Sequence, residues 1–237
     1  MRELVAVDLP GSQVFVDELQ RAWDRGDALA PLDPRLPRPA AERLLATLRP
    51  TVVVGPDGVR TSWPGEPVEQ GDALVVATSG SVADPKAAVL THEAVTASAL
   101  ATSARLGVDP GRDTWLACLP LAHIGGLSVV TRALHTGAGL RVLPRFDAVE
   151  VEAIGRRGEA TFVSLVATAL GRLDPAVFTR ILLGGAAPPD ALPANVVTTY
   201  GMTETGSGVV YDGLPLDGVE VAIGDGRRGR TGEILVR

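Results

Sequence analysis

Apolar residues along the chain follow a loose rhythm up to about residue 70 and a sharp one from Gly71 onward. In the first stretch, Leu19 to Trp23 predicts a short helix and Arg38 to Leu48 a second, proline-led one. Thr51 to Val54 predicts a strand that ends in the turn Gly55-Pro56-Asp57-Gly58. Beyond Gly71, Ala73 to Ala77 is an apolar, β-prone run that stops in a Ser/Gly loop. Thr91 can then cap a helix from His92 to Leu106, closed by Gly107.

The elements that follow alternate. Strands are expected at Thr114 to Leu119, Leu140 to Leu143, Thr161 to Val166, Arg180 to Leu183 and Val196 to Thr199. Helices are expected at Gly126 to His135, Ala148 to Arg157 and Ala167 to Leu173. This rhythm predicts an α/β fold, with mostly parallel sheets covered by helices. Val219 to Ile223 and Glu233 to Val236 predict a small terminal β lobe. Three regions result: a short N-terminal lobe over 1–70, an α/β core over 71–215 and the start of a β lobe over 216–237.

Composition narrows the function. The chain has 237 residues, 46% of them hydrophobic, enough for a substantial core. Its 22 Lys+Arg against 28 Asp+Glu give a net charge of −6, with no basic stripe, which argues against nucleic acid as a partner. No signal-peptide core and no apolar run of membrane-spanning length is present, so a cytoplasmic protein is expected. The one cysteine, Cys118, reads as a small buried residue, and one Cys with three scattered His offers no structural zinc set. His135 reads as a helix-end residue before Gly137.

Three short segments carry candidate chemistry. Thr78-Ser79-Gly80-Ser81-Val82-Ala83-Asp84-Pro85-Lys86 is read as lying between a strand and a helix, where hydroxyls and one lysine could cradle phosphates. It lacks the Gly-Lys-Ser/Thr ending of a Walker A loop. Tyr200-Gly201-Met202-Thr203-Glu204-Thr205 follows a predicted strand and offers an aromatic face, a hydroxyl and a carboxylate able to hold Mg²⁺. Leu183-Gly184-Gly185-Ala186 leaves a strand end nearly bare, so a flat ring could approach. Each alone also matches an ordinary turn or strand cap. Gly224-Asp225-Gly226-Arg227-Arg228-Gly229 matches Gly-x-Gly-x-x-Gly but joins two predicted strands, so it reads as a hairpin loop.

Together, the segments resemble the acyl-CoA synthetase, luciferase and peptide-synthetase adenylation superfamily of AMP-binding enzymes. Residues 78–86 resemble its Thr-Ser-Gly-Ser-Thr-Gly-x-Pro-Lys-Gly signature, which Thr91-His92 closes. Leu119-Pro120-Leu121-Ala122-His123 resembles its Pro-Leu-x-His element, Tyr200 to Thr205 its Tyr-Gly-x-Thr-Glu element, and Gly232 to Arg237 its Gly-Glu-Ile strand. The short N-terminal lobe, Thr161 to Val166 and Val209 to Val219 look most like the compact actinobacterial o-succinylbenzoate–CoA ligases of menaquinone biosynthesis.

That resemblance implies the family's large domain and a ligase that activates a small carboxylic acid with ATP and Mg²⁺, then passes it to coenzyme A. It implies that Thr78, Ser79, Gly80, Ser81 and Lys86 meet the β- and γ-phosphates and that Thr203 meets the α-phosphate. Glu204 would hold Mg²⁺, and Tyr200 with Gly184, Gly185 and Ala186 would hold adenine. Gly201 and Met202 belong to the same site, Met202 beside the acid, and His123 takes a pocket role. Three positions depart from the pattern: Val82 for Thr, Ala83 for Gly and Ala87 for Gly. They keep open a nucleotide-binding pseudoenzyme, and a domain that loads a carrier protein is the other alternative. The family's ribose-holding aspartate, hinge and lysine-bearing C-terminal domain are expected beyond Arg237, so weak activity or none is expected of residues 1–237 alone.

Overall fold

The computed structural model describes residues 2–78, 86–224 and 232–237. Fifteen strands are found there: β1 Leu4–Val7, β2 Ala28–Pro31, β3 Val52–Val54, β4 Arg60–Ser62, β5 Asp72–Thr78, β6 Lys86–Thr91, β7 Thr114–Ala117, β8 Gly139–Val142, β9 Phe162–Leu165, β10 Arg180–Leu183, β11 Val196–Met202, β12 Ser207–Tyr211, β13 Leu214–Pro215, β14 Val221–Ile223 and β15 Ile234–Val236. The helices are α1 Gln13–Asp24, α2 Arg38–Leu48, α3 His92–Leu106, α4 Ile124–Thr136, α5 Ala148–Arg156 and α6 Ala167–Leu170.

Local chemistry sets the helix ends. The Ser12 hydroxyl accepts from Phe15 N at 3.3 Å to open α1, and the Thr91 hydroxyl accepts from Ala94 N at 3.2 Å to open α3. Each such cap contributes about 1 kcal/mol. Gly107 and Gly137 close α3 and α4 in the left-handed conformation that favours glycine.

Two sheets organise these elements. One runs β4-β3-β1-β2-β5-β6, parallel in its middle and antiparallel at β4 and β6. The other runs β13-β12-β11-β10-β9-β7-β8, parallel from β11 to β8, with β12 and β13 antiparallel. β14 and β15 pair separately as the expected antiparallel lobe.

Strand alternation sorts side chains into layers. In β1, Leu4 and Ala6 face α2 through Leu44 and Leu48, while Val5 and Val7 face the other way. There they meet Phe15 and Leu19 of α1, Val95 and Leu106 of α3, and Leu127 and Val130 of α4. Trp115, Phe162 and Leu182 close this layer from the second sheet. That sheet's far face packs Leu116, Val163 and Ile181 on Val151 and Ile154 of α5 and on α6. The order is helix, sheet, helix, sheet, helix, and each large apolar side chain so buried contributes roughly 1.5–3 kcal/mol.

Several elements differ from the sequence expectation. The helix expected at Leu19 to Trp23 runs from Gln13 to Asp24, because Glu18 is buried beside Arg21 and Arg60 and hides the apolar period. β1 and β2 went unforeseen; all four residues of each are buried, so neither alternates. The larger correction concerns residues 78–86. They join two antiparallel strands rather than a strand and a helix, since β6 precedes α3 and Thr78 pairs with Lys86. The N-terminus of α3 therefore lies a full strand away and cannot serve as this loop's anion cradle. Ser79, Gly80, Ser81, Val82 and Ala83, like the loop following Gly224, lie outside the described residues.

Where α1, α3 and α4 meet, the Trp23 ring lies 5.4 Å from His92 and 5.5 Å from His135, and its Nε1 donates to Ala73 O at 3.0 Å. Burial, and then the neighbouring His92, hold His135 below the usual histidine value of 6.5. The unfolded chain therefore binds the extra proton first, and the associated stability is complete above pH 6.5 and lost as pH falls toward the folded-state value. Denaturant midpoints measured between pH 7.5 and 5.5 should fall on acidification, and His135→Phe should fall less than the parent protein. An equal fall in both would exclude this histidine as a source.

Candidate functional site

Ligand-sized space gathers outside the carboxyl ends of the parallel strands, the usual place for it in α/β sheets. A compact cavity of about 160 Å³ is walled by Leu165 and Val166 after β9, Gly184 and Gly185 after β10, Thr199 and Gly201 of β11, and Ile124 and Ser128 of α4. It shares Gly185, Thr199 and Gly201 with a wider opening of about 500 Å³ lined by Ala186, Pro188, Thr198 and Tyr200.

Backbone geometry keeps this track open. Gly185 sits at φ +85°, where a side chain is strained. A Cβ on Gly201 would meet the Ser207 carbonyl and lie 2.6 Å from Gly208 Cα, so only glycine lets β12 approach here. Asp212, itself in the left-handed region, accepts from Thr198 N at 2.8 Å and from the Thr198 hydroxyl at 3.0 Å, fixing the start of β11.

After β11 the chain makes one 3₁₀ turn, Thr203–Thr205. The Thr205 hydroxyl lies 3.1 Å from Met202 N and 2.7 Å from Ser207 O, so it is engaged in holding the turn. Among the described residues the Thr203 hydroxyl and the Glu204 carboxylate make no hydrogen bond or ion pair, and Glu204 is exposed. β6 packs against this turn, with Leu90 and Ser98 the neighbours of Gly206, while Thr78 and Lys86 pair with each other at the far end of the β5–β6 hairpin. Gly184, Gly185, Ala186, Tyr200 and Gly201 line the two adjoining openings, and Thr203 and Glu204 follow in the turn. Met202 is half-buried beside them and walls neither opening.

His123 lines none of the cavities described among these residues. It occupies the N-cap position of α4, exposed and without a capping hydrogen bond. Its charge is one of the smaller influences on Asp33, whose carboxyl is held below its usual range first by Arg35 at 2.8 and 2.7 Å. Asp33 and Arg35 border a third cavity, of about 400 Å³, on the far side of Pro120-Leu121-Ala122. Arg145 and Arg172 also line it, and neither forms an ion pair among the described residues. Cys118 is buried, and burial pushes its thiol up to about 12, which suits packing rather than nucleophilic chemistry.

Arg132 went unrecognised in the sequence. It sits in α4 at 3% exposure, between two sheets, and lines the compact cavity. Its guanidinium donates to the hydroxyls of Ser128 at 3.1 Å, Ser164 at 3.4 Å and Ser207, and lies 5.2 Å from the centre of the Trp115 ring. Nε has no partner, and among the described residues no carboxylate pairs with the charge. Burial pushes its pKa down, opposed by Tyr211, yet an arginine stays protonated. The charge is met by three hydroxyls and an aromatic face rather than by a protein anion. The available signal was one charge inside the apolar run Leu127 to Leu134 with a serine four residues earlier.

Comparison with known proteins identifies the architecture. Residues 60–237 match the family model "AMP-binding enzyme". The chain belongs to this family. A Mycobacterium tuberculosis protein named probable 2-succinylbenzoate–CoA ligase is 40% identical over 214 residues, 80% of this chain and 55% of that protein. The chain thus spans about half the length of this curated relative. The o-succinylbenzoate CoA synthetase of Bacillus subtilis, in complex with the acyl-adenylate OSB-AMP, has TM-score 0.83 at 25% identity, covering 99% of this chain and 59% of that one. The same enzyme in complex with ATP and magnesium gives 0.82 at 25%, covering 99% and 60%.

Gly201 offers a direct check on the track. Gly201→Ala should destabilise the fold by about 1–3 kcal/mol, the usual cost of overpacking, and abolish ATP binding, read by denaturation and calorimetry. Wild-type ATP affinity in this variant would show that the β11–β12 approach does not shape the nucleotide site.

Proposed function

We propose that this chain forms the acid- and nucleotide-binding part of a ligase that activates 2-succinylbenzoate with ATP and magnesium and passes the acyl group to coenzyme A. Arg132 carries the reading. 2-Succinylbenzoate has two carboxylates, one of which must react while the other stays charged inside the pocket. A buried guanidinium ringed by serines answers the second charge from the wall of a compact cavity of about 160 Å³. The names borne by the relatives support the same substrate.

The nucleotide would lie along the adjoining track, with adenine against Tyr200 and the bare strand end Gly184-Gly185-Ala186. Thr203 would donate to the α-phosphate, and Thr78 and Lys86 would meet the outer phosphates, with Ser79, Gly80 and Ser81 following as the family pattern implies. Among the described residues no three metal-ligating side chains converge. A lone exposed carboxylate, Glu204, suits magnesium, which usually takes one or two carboxylates and completes its shell with phosphate oxygens and water. Magnesium would neutralise charge developing on the leaving pyrophosphate.

An oxygen of the succinyl carboxylate would bond to the α-phosphorus as the bond from that phosphorus to the pyrophosphate oxygen breaks. The coenzyme A sulfur, giving its proton to solvent, would then bond to the acyl carbon as the bond to AMP breaks. The residues position the reactants and stabilise charge, with no covalent bond to the protein. Coenzyme A would approach across the Pro120–His123 wall, its phosphates near Arg145 and Arg172, since Arg35 is already paired with Asp33. A soluble, cytoplasmic setting fits this chemistry, and among the described residues no helix is long and apolar enough to cross a membrane.

Two experiments on the full-length protein test this. Pyrophosphate release should favour 2-succinylbenzoate over 4-oxo-4-phenylbutanoate, which lacks the ring carboxylate. Arg132→Gln should raise KM for the first acid on the order of ten- to a hundredfold and erase the preference. Retained preference would refute the substrate assignment. Separately, Arg145→Ala with Arg172→Ala should raise KM for coenzyme A about tenfold or more while sparing pantetheine, which carries no phosphate. Equal losses with both thiols would place the phosphates elsewhere.

A further inference from the structure

The third cavity, of about 400 Å³, is bordered by three arginines, and they are not equivalent. Asp33 offsets Arg35 through bonds of 2.8 and 2.7 Å, whereas Arg145 and Arg172 make no ion pair among the described residues. Arg172 differs again, because its guanidinium carbon lies 5.3 Å from the centre of the Phe146 ring. Both sides of that contact are anchored. Phe146 is half-buried and packs against the apolar layer between the second sheet and α5. Its loop is tied at one end by Leu143 N, which donates to Ala117 O at 2.8 Å. At the other end the Asp147 carboxylate accepts from Val149 N at 3.0 Å and Glu150 N at 3.1 Å, opening α5. Arg172 N donates to Ala169 O at 3.1 Å where α6 ends, and Ala169 and Leu170 of that helix are buried. An exposed arginine ordinarily loses rotamer freedom when it grips a ligand. One already laid on a fixed ring loses less, and the ring leaves its charge uncancelled.

We infer that Phe146 is a positioning residue, which holds the Arg172 guanidinium on the wall of the third cavity to receive a phosphate of coenzyme A. It thereby favours coenzyme A over thiols that carry no phosphate. The guanidinium presents its donors in a fixed planar fork that suits phosphate oxygens, so its orientation matters as much as its charge. Leucine at position 146 would keep an apolar contact with the layer beneath and lose only the ring face. The inference rests on the reading of Arg145 and Arg172 as the phosphate site.

The test uses the full-length protein, with kcat and KM measured for coenzyme A and for pantetheine. Phe146→Leu should raise KM for coenzyme A about three- to fivefold, the value of an exposed cation–π contact. It should leave KM for pantetheine and both kcat values where they were. Phe146→Tyr keeps the ring and should behave as wild type. In an Arg172→Ala background, Phe146→Leu should add nothing, because the ring acts only through that arginine. Arg172→Lys leaves the Phe146 packing untouched and keeps the charge but loses the planar fork. It should raise KM for coenzyme A by a similar factor, which keeps the test open if Phe146→Leu folds poorly. Equal KM losses with both thiols in Phe146→Leu would mean a merely structural role and overturn the inference. An unchanged KM for coenzyme A in Arg172→Lys, or a further rise on Arg172→Ala, would overturn it as well. If Arg145→Ala with Arg172→Ala harms both thiols equally, the reading of the phosphate site fails and this inference falls with it. If that pair harms coenzyme A alone but Phe146→Leu leaves coenzyme A untouched, this inference alone fails.

Discussion

Helix α4 is closed in by two sheets and by α3, and every residue from Gly126 to Ala133 is buried. A helix in that position should be apolar all round. Arg132 breaks the rule, and a lone charge in such a layer is tolerable only when its donors are met. Much of the polar chemistry inside the molecule follows from that demand. Ser128 comes from the same helix four residues earlier, Ser164 from the inner face of β9, and Ser207 from the first position of β12. The Trp115 ring covers one side of the guanidinium. Hydroxyls meet the Nη donors, leaving Nε alone unpartnered, and do so without cancelling charge, so positive potential survives at the cavity, where a carboxylate partner would have removed it.

The same packing shapes the rim. Parallel strands β9, β10 and β11 deliver their carboxyl ends to one rim, and α4 begins at that rim. The antiparallel return of β12 forces Gly201 and Gly208 together and sends the chain through the Thr203–Thr205 turn toward β6. β6, at the edge of the first sheet, packs on that turn and joins the two sheets there.

What the sequence disclosed follows from periodicity. α3 was legible to the residue because Thr91 and Gly107 mark its ends chemically. The parallel strands of the second sheet were legible because each is followed by a helix or turn with its own signal, whereas the antiparallel β12 and β13 were not foreseen. β1 and β2 were silent because short strands buried on both faces have no alternation, and α1 was truncated because Glu18 is buried through ion pairs rather than exposed. β6 was hidden by Lys86-Ala87-Ala88, residues poor in β preference. That strand exists because Ala77 and Thr78 of β5 present unpaired backbone to it, a tertiary cause no local window contains.

The site divides along the same line. The nucleotide half consists of contiguous loops, whose glycines, hydroxyls and carboxylate must stand at fixed spacing to follow one bent backbone, so its pattern survives in the linear sequence. The polar cluster around Arg132 is assembled from single residues on α4, β9 and β12. Nothing in the spacing of Ser128, Arg132, Ser164 and Ser207 announces a relation, because their proximity is a property of two sheets closing on a helix. A pattern carried by contiguous segments can therefore be read from the sequence, whereas a cluster assembled inside the core cannot. Arg132, buried with hydroxyls as its partners, becomes visible only once the two sheets have closed on α4.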